Sequence, residues 1–155
     1  MRFLATTALI TALAASPVRA IASDQLEISS VDVRLFLGYS GTLSHPLTKA
    51  DVLRNTTIGE GSASEPSSSV LIDVIVSGPP GSFDAHRTVT LVAADSSTGK
   101  VVGRFTKSPG VLSSAGAYHV AFWLPDTGCV PLHLVARVRG TSRSRTADVT
   151  FRCAE

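Results

Sequence analysis

The sequence predicts an all-β protein, a single antiparallel β-sandwich of six to eight strands, and three observations carry that prediction. Apolar and polar residues alternate with period two along several runs, as half-buried strands require. Turn-forming clusters of Gly, Pro, Asp and Ser recur every ten residues or so in the second half, the spacing of a sandwich. Residues 116–153 gather three such runs, two turn signals and both cysteines.

In that stretch Tyr118, Val120, Phe122 and Leu124 alternate with His119, Ala121 and Trp123, so the even positions are expected in the core. Pro125-Asp126-Thr127-Gly128 follows, with a residue that presets φ, one that bonds the backbone and one that tolerates positive φ. Beyond it Leu132, Leu134, Ala136 and Val138 are expected inward, and His133, Val135, Arg137 and Arg139 outward, which predicts a hairpin. Gly140-Thr141-Ser142-Arg143 predicts a second hairpin with Val149, Phe151 and Cys153, completing a meander in which Leu132 opposes Phe151 and Leu134 opposes Val149.

Taken in order, the chain of 155 residues begins with Met1-Arg2, an apolar run over 3–15, Pro17 and small residues around Ala20 and Ala22. That is the composition of a secretory signal peptide, read as 1–20, with one domain over 21–155; the apolar run is too short to cross about 30 Å of hydrocarbon. No transmembrane segment is expected after cleavage, and no cysteine near the cleavage site suits a lipid anchor. Removing Arg2 and Arg19 leaves 12 basic against 12 acidic residues, which disfavours nucleic acid as a partner. About 135 residues suit one domain.

Residues 28–37 alternate and predict a strand ended by Gly38. The polar stretch 39–69 is expected to be a long irregular loop, with one helical turn possible over 47–53, and is a natural place for a binding surface. Its Gly59-Glu60-Gly61 lacks the last glycine and the helix of a dinucleotide fingerprint, and Asn55-Thr56-Thr57 fits a glycosylation acceptor. Residues 70–76 form an almost continuous apolar strand, so both of its faces are expected to be covered. Residues 88–94 and 100–105 flank a turn and predict a hairpin. The predicted core contains Val74, Val120, Phe122, Leu132, Leu134 and Phe151.

Gly116-Ala117-Tyr118-His119-Val120 resembles the Gly-x-Tyr-x-Cys corner of immunoglobulin-like domains, with Val120 where the cysteine stands and Ser114 where an aspartate is usual. The resemblance implies an immunoglobulin-like or fibronectin-like architecture, a tyrosine hydroxyl bonded to nearby backbone, and nothing about ligand, because such sandwiches host many functions. The inter-sheet disulfide of antibody domains cannot form here.

Cys129 and Cys153 are the two cysteines, and an exported chain is expected to pair them in a bridge worth about 3.5 kcal/mol by loop entropy. They lack the Cys-x-x-Cys spacing of a redox pair. The predicted hairpin sets Trp123 against Cys129, where an indole would shield the bridge.

No nucleophile elbow, fixed carboxylate pair or zinc motif occurs, so no catalytic residue is assigned, no enzyme is inferred and no cofactor is implied. Two weaker features remain. His119 and His133 fall at outward positions of the predicted hairpin, side by side, where imidazoles can share copper or zinc or simply be solvated. Arg137, Arg139, Arg143 and Arg145, with Arg152, form either a patch for an anionic partner or charged protection of an edge strand. The reading is a periplasmic or extracellular binding module for a protein or envelope component; the alternatives are a metal-handling protein using the histidine pair and a small secreted protease inhibitor.

Overall fold

Seven strands form where the alternation runs: β1 (Glu27–Phe36), β2 (Ser69–Ser77), β3 (Val89–Asp95), β4 (Val101–Lys107), β5 (Ala117–Leu124), β6 (Leu132–Val138) and β7 (Ser144–Val149). The structure is a computed structural model and describes residues 26–47, 65–67, 69–128 and 130–150. Among these there is no helix. The signal segment, most of the 39–69 stretch including the possible turn over 47–53 and the Asn55 acceptor, both cysteines, Phe151 and Arg152 lie outside the described residues, as does any bridge between the cysteines.

The strands form two antiparallel sheets, ordered β1-β2-β5 and β4-β3-β6-β7. Their inward residues make one core: Val33 and Leu35 from β1, Val70 to Val76 at even positions of β2, and Val120, Phe122 and Leu124 from β5. These meet Val89 and Leu91 from β3, Leu132, Leu134, Ala136 and Val138 from β6, and Val149 from β7. Five of the six expected core residues, Val74, Val120, Phe122, Leu132 and Leu134, are fully or almost fully buried. Phe122 is the largest of them, 5.9 Å from the Phe105 ring between the layers.

The structure differs from the sequence expectation in one connection, one register and the cover of one strand. The 125–131 segment does not close a hairpin: β5 pairs with β2, and β6 with β3 and β7, so the chain arches from one sheet to the other. A hairpin and an arch leave the same alternation, because in both the even residues face the core. The seven linking residues are long for a tight turn and ample to span the roughly 10 Å between packed sheets. Asp126 (φ 51°) and Gly128 (φ 53°) both take left-handed backbone there, and Pro131 O then accepts from Ser96 N at 2.8 Å, seating the start of β6 beside the β3–β4 turn.

The last hairpin does form, but two residues out of the expected register: Leu132 opposes Val149 and Leu134 opposes Ala147. A two-residue slip keeps every side chain on its face, so periodicity alone does not reveal it. Strand β7 accordingly runs over Ser144–Val149, ahead of the run expected at Val149 to Cys153. Tyr118 lies on β5 of the three-stranded sheet, and its ring packs over Gly110, where a Cβ would collide with it. Finally, β2 is fully covered on one face only, with Leu71, Asp73 and Ile75 half-buried on the other.

The start of the 39–69 stretch is ordered. Residues 42–47 fold back along the outer edge of β1, with Leu37 N donating to Thr42 O, Ser44 N to Leu35 O and Leu47 N to Val33 O. At the other margin of this sheet Lys107 Nζ donates to Ala121 O at 2.6 Å and stands 5.5 Å from the centre of the Phe122 ring. Both edges are thereby blunted against pairing with another chain.

Candidate functional site: the outer face of the three-stranded sheet

The period-two pleat that buries the even positions of β2 and β5 turns a second set of residues outward, and register sorts them into rows. Arg34, Leu71 and Trp123 form one row across β1, β2 and β5; Asp32, Asp73 and Ala121 form the next; Ser30, Ile75 and His119 the third. Phe36 lies beyond the first row, opposite Ser69.

Two aromatic rings dominate one end. Trp123 remains 42% exposed, and its ring meets that of Phe36 edge to face, 5.3 Å between centroids at 75°. This is the favourable arrangement for two ring quadrupoles, and it fixes the indole while leaving much of it to solvent. Leu71 and Ile75 continue the apolar surface. A large aromatic held in place on an exposed, partly apolar sheet face is the kind of surface that marks an interaction site.

The middle row is acidic. Asp32 stands directly opposite Asp73, a like-charge arrangement that disfavours the sheet. Asp73 Oδ2 bonds His119 Nδ1 at 2.7 Å, while its Oδ1 is buried with no partner among the described residues. His119 is well exposed, and the bond to Asp73 fixes its ring so that Nε2 is the nitrogen left to a ligand. Arg34 Nη1 reaches Ser44 O only at 3.5 Å. At the Phe36 end, Glu65 Oε2 accepts from Tyr39 N at 3.0 Å and Ser40 N at 2.7 Å. The Ser40 amide is the main cause that holds this carboxyl below its ordinary value.

The residues singled out in the sequence are dispersed. His119 lies on β5 and His133 on β6, in different sheets, so the side-by-side pair expected on one face does not exist. His133 Nδ1 instead bonds Asp148 Oδ1 at 2.6 Å on the outer face of the other sheet. Among the described residues no group of three or more His, Cys, Asp or Glu is placed to hold a metal ion.

The arginines separate too. Arg143 Nη1 pairs with Glu27 Oε2 at 2.8 Å and Arg145 Nε donates to Ile28 O at 3.1 Å, so these two tie β7 and its preceding turn to β1 across the edge of the sandwich. Arg137 points from the outer face of β6, on the opposite side of that sheet from Arg145, and Arg139 follows the strand, its carbonyl accepting from Arg87 Nη1 at 2.7 Å. A shallow cleft lined by Leu26, Glu27, Gly140 and Arg143 lies at that seam. Trp123 faces Phe36; Cys129, its expected neighbour, is not among the described residues.

Sequence reasoning placed Trp123 outward and missed its surroundings. The signal lies in β2: its near-continuous apolar run predicts cover on both faces, whereas Leu71 and Ile75 are only half-buried, with nothing over them among the described residues. No protein-family profile matches the chain, and no curated protein matches it in sequence.

Proposed function

We propose that this chain is an exported binding module that docks its partner on the outer face of the three-stranded sheet. The observation that carries the reading is the character of that face: Leu71 and Ile75 on the central strand, with Phe36 and the half-exposed Trp123 on its neighbours. A sheet strand that is apolar on both sides ordinarily has both sides covered, and here one side has no cover among the described residues. Export rests on the N-terminal composition, a charged start, an apolar run and small residues near 20. In that setting Cys129 and Cys153 form the bridge.

The architecture reads as fibronectin-like. In constant-type immunoglobulin domains the fourth strand joins the first, second and fifth; here it joins the third, leaving β1-β2-β5 opposite β4-β3-β6-β7. Tyr118 then stands in the fifth strand, one strand earlier than the corner it resembles.

Site-specific photo-crosslinking in the native envelope tests the docking face. A photoreactive residue at Ala121, in the middle of the face, should give adducts, and one at Val92, on the outer face of the other sheet, should not. Equal labelling from both positions would sink the assignment. Intact mass of the exported protein, compared before and after alkylation, checks cleavage near residue 20 and the absence of free thiols.

A further inference from the structure

We propose that the ligand of this face is an uncharged glycan strand, a proposal that rests on the docking-face reading above and names the chemistry of the partner. Three observations lead to it: the form of the surface, its charge balance and its hydrogen-bonding groups.

Among the described residues the face is open. From Trp123 to His119 along β5 is four residues, roughly 13 Å at strand rise, and three strands make it roughly 10 Å wide. No described wall encloses it, so it suits an extended chain lying along the sheet better than a small molecule that needs a pocket. The exposed indole, braced by Phe36, offers a rigid apolar plane against which the C–H face of a pyranose ring can stack.

Charge selects among extended chains. The carboxylates of Asp32 and Asp73 occupy the middle row and give the phosphates of nucleic acid or of an anionic membrane surface nothing to pair with at the centre of the face. Arg34 in the next row and Lys107 at the margin offset them, so a polycationic chain gains little. A second copy stacked face to face about a two-fold axis that crosses the middle row would set the Asp32–Asp73 row upon itself. The ligand that meets this mixture without an uncompensated charge is neutral and rich in groups that both donate and accept.

Hydroxyls have that property. Asp32 makes no hydrogen bond or ion pair among the described residues and accepts from a hydroxyl; Arg34 donates to one; His119 is held by Asp73 with Nε2 outward. The rows thus offer a stacking plane at one end and a line of polar anchors beside it, the pairing that a sugar strand with an apolar ring face and a polar rim requires.

The sole tryptophan makes the test direct, because indole emission reports this face alone. The mature full-length protein is titrated with cellohexaose, mannohexaose and chitohexaose, and with oligogalacturonate and phosphatidylglycerol vesicles as anionic probes. The expected result is a saturable emission change with at least one neutral hexasaccharide and none with the anionic probes. By calorimetry, Trp123→Ala should weaken that binding at least tenfold with an unchanged far-ultraviolet spectrum. Asp32→Asn, which removes a carboxylate with no partner among the described residues, should weaken it severalfold with the fold intact. Absence of binding to all three neutral probes overturns the glycan proposal, as does tighter binding to an anionic one. Crosslinking from Ala121 decides separately: protein adducts there, with no glycan binding, keep the docking face and replace its ligand, whereas no adducts at all remove the face itself.

Discussion

Phe122 and Trp123 are adjacent in sequence and face opposite ways, so truncating each in turn weighs the core against the outer face. Phe122 is fully buried, 5.9 Å from the Phe105 ring, with the Lys107 ammonium 5.5 Å from its centroid. Phe122→Ala removes a side chain that both sheets enclose, and the surrounding strands cannot collapse into the space without breaking their ladders. The expected loss is about 3–5 kcal/mol, the range for a buried phenylalanine, which is a large part of the stability of an ordinary domain. For a domain of this size that lowers the melting temperature by roughly 10–20 °C. Trp123→Ala loses the edge-to-face contact with Phe36 and part of an already exposed surface, about 1–2 kcal/mol. Urea unfolding followed by far-ultraviolet circular dichroism measures both without using the tryptophan as probe. If Phe122→Ala costs less than about 1 kcal/mol, or less than Trp123→Ala, the two faces of β5 have been assigned the wrong way round.

Three further outcomes follow from particular contacts. Asp95, bonded by the Thr98 hydroxyl and the Ser97 amide, is held below its ordinary 3.8, mainly by Thr98. Its contribution is therefore full above the unfolded value and fades as pH falls through the lower folded one, so the Ser97 amide resonance should titrate with a midpoint below 3.8 and Asp95→Asn should abolish the step. Gly116→Ala meets both a φ of 72° and the Gly78 carbonyl oxygen, whereas Gly99→Ala has φ 73° and open space around it. The first should destabilise by about 2–4 kcal/mol and the second by about 1 kcal/mol in the same urea assay, and equal losses would show that the Gly78 contact is absent. Arg145→Ala removes a donor to Ile28 O and should cost about 1 kcal/mol with little dependence on salt. Arg143→Ala breaks an exposed pair with Glu27 and should cost less than that, vanishing in 1 M salt. A large salt-dependent loss for both would mean that the two arginines act as one charged cluster.

The sequence is informative about faces and silent about partners in space. Val120, Phe122, Leu132 and Leu134 are legible as inward residues because burial follows the pleat, and the pleat is visible as alternation. Whether Leu124 turns back to its own sheet or crosses to the other leaves no trace in that alternation, so the arch at 125–131 reads in the sequence as a hairpin, and His119 and His133 read as neighbours although they lie on different sheets. The same blindness allowed the two-residue slip of β7. The candidate face depends on β1 and β5 flanking β2: Phe36 and Asp32 on β1 lie 87 and 91 residues before Trp123 on β5, and only the register unites them.

Both short-range hairpins, β3–β4 and β6–β7, belong to the four-stranded sheet. The three-stranded sheet has none: Val74 must find Val31 in one direction and Val120 in the other, and neither search is shortened by a turn. Pairing β3 with β6 closes a loop of similar length, but each of those strands already carries a local hairpin partner, so the three-stranded sheet is expected to form later. Conservative truncations in β3 or β6 should therefore slow refolding, and those in β1 should chiefly speed unfolding, which stopped-flow kinetics on Leu91→Ala and Val33→Ala would compare. The surface carried by β1, β2 and β5 would then exist only in the completed domain, and a partner that recognises it would by the same act recognise that the chain has finished folding.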